Sequence, residues 1–251
     1  MAADSRAGAE DAGGTAKTAA ETQIMAIYDN IKALRASLPD GVKLVAVSKY
    51  HPFERIVEAY EAGQRDFGEN RPQELQKKVI AMREWLGSRG LEDDVRWHFL
   101  GHLQTNKLKM VLPYASLVQS VDSLHLLQEI NAWSLKNNIV TDVLLEMHIA
   151  AEESKQGFVE EEVLEIMFAN TSYRGVRICG LMGMASHVDD EAAIDADFSR
   201  IEDFFHYLKD LFPELECFRE LSIGMSSDWE IAVSHSASIV RIGTAIFGDK
   251  E

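Results

Sequence analysis

Two cations, one directly after an apolar run and one within another, are the first candidates for chemistry. In the stretch LVAVSK, Lys49 follows a run typical of a buried strand, and in the stretch IVRIG, Arg241 lies inside another such run. Lysine and arginine are rarely buried without a partner. If both side chains face the interior of one domain, an anion or a chemical task is expected between them. The pattern alone leaves the alternative that both point to solvent.

The segment LSIGMSSDWE has the composition of an anion-binding loop. It offers Ser222 and Ser226 near a strand end, then Ser227 or Asp228 as the cap of a short helix, while Gly243 in RIGTAIFG allows close approach to backbone N–H groups. Amide donors together with a helix N-terminus form the usual phosphate site of an α/β barrel. The two segments therefore predict a phosphate site.

A lysine amine beside a phosphate site indicates a phosphorylated aldehyde as the ligand. Pyridoxal 5′-phosphate satisfies both requirements, because its aldehyde condenses with a lysine and its phosphate needs a cradle. We therefore expect this cofactor, with Lys49 and Arg241 at the same site.

Short apolar runs alternate with helix-period segments along the chain. The eight runs are Lys43 to Lys49, Arg65 to Asn70, Trp97 to Gly101, Leu117 to Val121, Asp142 to Ile149, Val176 to Met184, Glu220 to Gly224 and Ile239 to Phe247. The helical segments include Phe53 to Ala62, Pro72 to Leu86, Ser123 to Lys136, Val159 to Phe168 and Ala193 to Phe212. An additional amphipathic helix is predicted at 22–38.

Strands that alternate with helices are parallel and joined by right-handed crossovers. Eight such units favour an α/β fold with a single (β/α)8 TIM-type barrel over an open doubly wound sheet, and no GxGxxG motif follows any run. The length of 251 residues is also common for one barrel.

Side chains in a barrel strand alternate between the interior and the surrounding helices. Val45, Val47 and Lys49 then share one side of the first strand, and Ile239 and Arg241 share one side of the last, together with positions 243 and 245. Since the first and last strands of a barrel are neighbours, the two cations are expected to lie at one mouth.

The overall composition narrows the classes of partner and compartment. The 25 basic and 41 acidic residues give a formal charge of −16, which makes nucleic acid an unexpected partner. No apolar run approaches the roughly 18 residues that cross a bilayer. The two cysteines form neither a CxxC pair nor a disulfide framework, so we expect a cytoplasmic protein. Residues 1–20 are predicted to be a disordered tail and residues 21–251 to be the barrel domain.

A series of motifs resembles one known family. In order, they are AVSKYHP, DFGENRPQEL, WHFLGHLQTNK, SVDS, EESKQGF, GLMGMA, LSIGMSSDWEIAV and VRIGTAIFG. Taken together, from about residue 24 to 248, they resemble the pyridoxal phosphate homeostasis protein family, also called the YggS/PROSC family. The resemblance implies a barrel like the N-terminal domain of alanine racemase, with no well-established catalytic turnover.

The resemblance also implies roles for individual residues. Lys49 would form the Schiff base, Asn70 would lie beside the cofactor ring, and Arg241 would face the pyridine nitrogen. Ser226 and the backbone around Gly243 would hold the phosphate, with assistance from Ser222. The implied function is a buffer or carrier in vitamin B6 homeostasis, monomeric or weakly dimeric, that passes pyridoxal phosphate to apo-enzymes.

An enzyme of the amino-acid racemase type is the alternative. Alanine racemases of this fold add a C-terminal β domain whose tyrosine acts as a second acid/base, whereas this sequence ends a few residues after the eighth run. The expectation is therefore a binding protein without classical turnover.

Several other polar residues receive less specific predictions. His98 and His102 lack a third ligand in the sequence around them, so we expect no metal site and assign them to packing or to the rim of the mouth. Lys107, Lys109 and Lys155 are expected to be surface charges, with a secondary cofactor-transfer site as the alternative.

Overall fold

The computed structural model describes residues 19–149, 157–186, 188 and 190–248. Its eight parallel strands form one closed barrel in sequence order, which confirms the predicted fold class. The strands are β1 (Lys43–Val47), β2 (Asp66–Glu69), β3 (Arg96–Phe99), β4 (Leu117–Val121), β5 (Thr141–Met147), β6 (Val176–Gly183), β7 (Glu220–Ser222) and β8 (Ile239–Ile242).

Helices surround the barrel. They are α1 (Ala19–Ser37), α2 (Phe53–Glu61), α3 (Pro72–Gly87), α4 (Leu108–Val111), α5 (Leu124–Lys136), α6 (Glu160–Phe168), α7 (Glu191–Leu211), α8 (Trp229–Ser234) and α9 (Thr244–Phe247). Local chemistry explains several of their starts: a proline begins α3, and the Ser123 hydroxyl accepts the Leu126 N–H at the start of α5. Among the described residues, no helix has the length and apolarity that a bilayer span requires.

Pairing of the first and last strands closes the barrel. Val45 lies opposite Arg241, and Val47 lies opposite Gly68 on the other side of β1. The segments that follow β1, β2 and β8 therefore emerge beside one another, at the carboxyl end of the barrel. This arrangement brings the predicted site residues of three distant sequence segments to one mouth.

The interior of the barrel follows the predicted alternation. Arg241 is 5% exposed, which excludes the alternative that it points to solvent. An internal apolar cluster is formed by Val45, Leu117, Leu144, Cys179, Met182 and Ile239. A second, larger core packs the outer faces of the strands against the helices.

Gly180 marks an irregularity in β6. Its φ is +151°, and a Cβ atom built there would lie 1.8 Å from the Glu220 carbonyl oxygen. The register between β5 and β6 shifts beside it. A side chain at this position would separate β6 from β7, because the backbones approach too closely.

The eighth strand is shorter than predicted. The apolar run to Phe247 suggested one continuous strand, but the strand ends at Ile242 and residues 244–247 form α9. The prediction was wrong after Ile242 because a four-residue apolar segment has the same composition in a buried helix as in a strand. The predicted tail, apart from its last two residues in α1, lies outside the described residues.

Candidate functional site

Lys49 lies two residues beyond β1, at the carboxyl mouth of the barrel. Its side chain is half-buried, and its nitrogen lies 6.0 Å from the centroid of the Tyr50 ring. Among the described residues, its ammonium group has no hydrogen bond or ion pair. A partly buried amine without a partner is available to a ligand.

The backbone on both sides of Lys49 is held by side chains of α3. Lys78 donates to the Ser48 carbonyl oxygen at 2.8 Å, and the Tyr50 N–H donates to a Glu74 carboxylate oxygen at 3.4 Å. Lys78 also donates to Glu69 at 2.7 Å. The main-chain position of Lys49 is therefore fixed from outside the barrel.

Asn70 directly follows β2, the neighbour of β1. Its side-chain oxygen is buried and has no hydrogen-bond partner among the described residues. A buried polar atom left unpaired is costly, so its presence at a site suggests a ligand that supplies the partner.

The segment after β7 is the one for which the sequence predicts an anion site. Gly224 has a φ of +90°, and a Cβ atom there would lie 2.6 Å from the Cβ of Ala232 in α8. Asp228 is the N-cap residue of α8, and its carboxylate accepts the Met225 N–H at 2.5 Å. The Gly243 N–H donates to the Ser226 hydroxyl at 3.3 Å, so the two predicted phosphate-binding positions are adjacent.

The Arg241 side chain of β8 contacts the ends of two other strands, β6 and β7. Its Nη1 donates to the carbonyl and hydroxyl oxygens of Ser222, both at 2.7 Å, and its Nη2 donates to the Gly183 carbonyl oxygen at 2.9 Å. Burial lowers the pKa of Arg241 to about 10, and the charges of Glu146 and Asp228 oppose this effect. The guanidinium therefore stays charged at neutral pH.

Ser222 lies between Gln119 and Arg241. Its side chain is fully buried in β7, where the hydroxyl accepts from Arg241 and donates to Gln119 at 2.6 Å. These contacts direct it toward the guanidinium, whereas Ser226 is partly exposed beside Gly243. The described contacts of Ser222 therefore concern Arg241 and not the anion loop.

Glu146 is a candidate site residue that the sequence analysis missed. It is 8% exposed, and its carboxylate has no hydrogen bond to the described residues. Burial raises the pKa of Glu146 to about 7, the negative charge of Asp122 adds to this, and Arg241 and His102 oppose it. Alternation from Leu144 in the internal cluster would have placed it inside.

Replacing Glu146 with glutamine should stabilise the protein at alkaline pH. Because the folded-state pKa is raised, the stability that Glu146 contributes is fully present below its unfolded pKa, and it is lost as the pH rises through about 7. Glutamine does not titrate. We expect the free energy of unfolding of Glu146→Gln to exceed that of the parent protein by on the order of 2 kcal/mol at about pH 8, and by much less at about pH 5. Urea unfolding at both pH values measures this.

Glu165→Gln provides the matched control, because Glu165 is exposed on α6. Its free energy of unfolding should differ from that of the parent by a similar small amount at both pH values. Equal effects of the two substitutions at both pH values would contradict a desolvated carboxylate at position 146.

The two histidines of WHFLGH occupy different environments. His98 is buried inside the barrel, where it contacts Asp66 and Gln119, and His102 is exposed on the rim and contacts Asp122 at 2.8 Å. No group of three or more potential metal ligands occurs among the described residues. Lys109 is exposed and Lys107 is partly buried, whereas Lys155 lies outside the described residues.

Comparison with known proteins identifies the family. The model of the alanine racemase N-terminal domain matches residues 23–251. A pyridoxal phosphate homeostasis protein of Aquifex aeolicus is 36% identical over 214 residues, which cover 83% of this chain and 87% of the relative. The chain belongs to the pyridoxal phosphate homeostasis protein family. The Escherichia coli K12 relative of the same name is 35% identical, with 85% of this chain and 88% of the relative covered.

Solved structures share the fold of this chain. PipY of Synechococcus elongatus, determined with PLP bound, aligns with a TM-score of 0.78 and 34% identity, covering 88% of this chain and 100% of that chain. Alanine racemase of Clostridium difficile aligns with a TM-score of 0.67 at 15% identity, covering 91% of this chain and 57% of that chain. The second alignment shows a shared fold only.

Proposed function

We propose that this protein binds pyridoxal 5′-phosphate as a Schiff base on Lys49 and acts as an intracellular buffer or carrier of the cofactor. The observation that carries the proposal is the amine of Lys49, half-buried and without a partner among the described residues, at the mouth that also contains Arg241. Family membership and PLP in the PipY structure support the same ligand.

The residues at the mouth match the groups of this cofactor. Lys49 would condense with the aldehyde, with loss of water, and the Ser226 hydroxyl and the backbone N–H groups around Gly243 would donate hydrogen bonds to the phosphate. Asn70 directly follows the strand next to β1, and its unpaired side-chain oxygen would be available to the bound cofactor. The site therefore offers a covalent anchor and polar partners for a phosphorylated aldehyde.

Arg241 makes the proposed function one of holding and not of activating. Bound pyridoxal phosphate can act as an electron sink when its ring nitrogen is protonated. A guanidinium that stays charged can only donate to that nitrogen, so it would keep the nitrogen unprotonated. A protein that retains the aldehyde with little activation is suited to storage and transfer.

These properties suit a cellular role in storing pyridoxal phosphate and supplying it to apo-enzymes. Free pyridoxal phosphate reacts with amines generally, so a protein that holds it reversibly limits this reaction and supplies apo-enzymes. The net charge of −16 disfavours nucleic acid as a partner. We propose a cytoplasmic protein that acts as a monomer or weak dimer.

Reductive trapping tests the proposal directly. The purified protein is incubated with pyridoxal phosphate, its absorbance spectrum is recorded, and borohydride is added before peptide mass mapping. We expect an absorbance band of a Schiff base that borohydride removes, with one modified peptide that contains Lys49. Modification spread over exposed lysines such as Lys109, or no band at stoichiometric cofactor, would refute the proposal.

A further inference from the structure

A chain of buried polar side chains crosses the interior of the barrel. It joins Asp66 of β2, His98 of β3, Gln119 of β4, Ser222 of β7 and Arg241 of β8, all of which are at most 8% exposed. Most of the interior around it is apolar. Buried polar groups are costly unless all of them are paired, so a connected chain in this place needs an explanation.

The donor and acceptor roles of the individual groups set the direction of the hydrogen bonds. A guanidinium only donates and an amide oxygen only accepts, so the Ser222 hydroxyl accepts from Arg241 and donates to the Gln119 oxygen, 2.6 Å away. The Gln119 nitrogen then faces Nδ1 of His98 at 2.8 Å and donates to it. The chain therefore requires an unprotonated Nδ1.

His98 forms the last hydrogen bond of the chain, to Asp66. With Nδ1 accepting, the imidazole proton lies on Nε2, which is 3.2 Å from the Asp66 carboxylate. Arg96 holds that carboxylate through two hydrogen bonds of 2.7 and 2.6 Å. Although burial raises the pKa of Asp66, hydrogen bonds from His98 and Arg96 bring it well below its usual range, so the acceptor is ionised.

We infer that His98 and Gln119 are positioning residues that hold the Arg241 guanidinium for the ring nitrogen of the bound cofactor. All links donate in one direction, from the Arg241 cation to the Asp66 anion, and such aligned bonds reinforce one another. The inference rests on the proposed function, since it concerns the same site.

Two N–H groups of Arg241 are not used by the chain of buried polar side chains. A guanidinium has five N–H groups. Three are used by Ser222 and Gly183, which leaves two, on Nε and Nη2, without a partner among the described residues. The chain thus fixes one edge of the guanidinium inside the barrel and leaves N–H groups available to a ligand.

Variants of His98 separate positioning from general packing. His98→Leu removes both the acceptor and the donor, whereas His98→Gln can accept from Gln119 and donate to Asp66 in the same direction. Gln119→Leu breaks the chain at the next link. Each folded variant is loaded with pyridoxal phosphate labelled with nitrogen-15 in the ring, and the ring-nitrogen NMR signal and the rate of cofactor loss are measured.

We expect His98→Leu and Gln119→Leu to shift the ring-nitrogen signal and to accelerate cofactor loss by about tenfold, while His98→Gln resembles the parent. Unchanged signals in both leucine variants, or a His98→Gln variant as impaired as His98→Leu, would overturn the inference. Ser134→Ala serves as the control, because Ser134 is equally buried but its hydroxyl pairs with Thr141 outside the barrel interior.

A measurement on the parent protein covers the case in which the leucine variants do not fold. The imidazole nitrogen signals of His98 should show the form with the proton on Nε2, in the protein with and without cofactor. A proton on Nδ1 would refute the inference. If the parent protein does not bind the cofactor at all, the proposed function fails instead, and the two failures are distinguished.

Discussion

Replacing Lys49 with alanine should abolish the absorbance band of the Schiff base and the product trapped by borohydride. Alanine removes the amine that would form the covalent bond, so only the proposed phosphate contacts of Ser226 and Gly243 would remain. We expect the affinity for pyridoxal phosphate to fall by about a hundredfold or more, on the order of 3 kcal/mol. Spectroscopic titration and equilibrium dialysis measure the two effects separately.

Lys109→Ala is the matched control for Lys49→Ala. Lys109 is an exposed lysine of α4, so its removal should leave the band and the affinity unchanged. The Lys49→Ala variant should unfold at the same urea concentration as the parent, because Lys49 has no ion pair among the described residues. A persistent Schiff-base band in Lys49→Ala would show that another amine forms the bond.

Regular strand geometry made the positions of the two cations predictable. In β8 the side chains alternate strictly, so Ile239 in the interior implies that Arg241 faces the same way, and alternation continued past the end of β1 from Val45 predicts the same direction for Lys49. The same rule applied to β5 would have found Glu146, because Leu144 precedes it by two residues. The fold and the buried positions of Arg241 and Glu146 were therefore accessible from the pattern alone.

The contacts of Ser222 were not predictable in this way. Its hydroxyl donates to Gln119, which is 103 residues away in the sequence, and no local periodicity relates the two positions. The resemblance implies that Ser222 assists Ser226 at the phosphate, and it gives no indication of a contact with Gln119. The partner of a buried hydroxyl depends on which side chains the barrel brings together, and this requires the three-dimensional structure.

The backbone beside Lys49 contacts a buried ion pair outside the barrel. Lys78 of α3 is 7% exposed and donates to Glu69, which is fully buried, as well as to the Ser48 carbonyl oxygen. Glu69 also accepts from the Ser48 hydroxyl at 2.6 Å, and its second carboxylate oxygen has no partner among the described residues. The carboxylate therefore relies on Lys78 for compensation of its charge.

Lys78→Met should destabilise the protein by about 3–5 kcal/mol, because it leaves Glu69 as a buried charge without its ion-pair partner. Lys77→Met on the exposed face of the same helix should change the free energy of unfolding by less than about 0.5 kcal/mol. Urea unfolding compares the two variants. Equal stabilities would show that the Lys78 pair contributes nothing.

The pH dependence and a double variant would identify the unpaired charge as the cause. Burial raises the pKa of Glu69 even in the parent, although Lys78 and Ser48 oppose this, so without Lys78 the carboxyl group should take up a proton more readily. The deficit of Lys78→Met should therefore shrink as the pH is lowered. Adding Glu69→Gln should recover part of the lost stability at neutral pH, since the amide carries no charge. A double variant less stable than Lys78→Met would instead show that the Glu69 carboxylate is stabilised by its other contacts, and that Lys78 acts mainly through the Ser48 carbonyl beside Lys49.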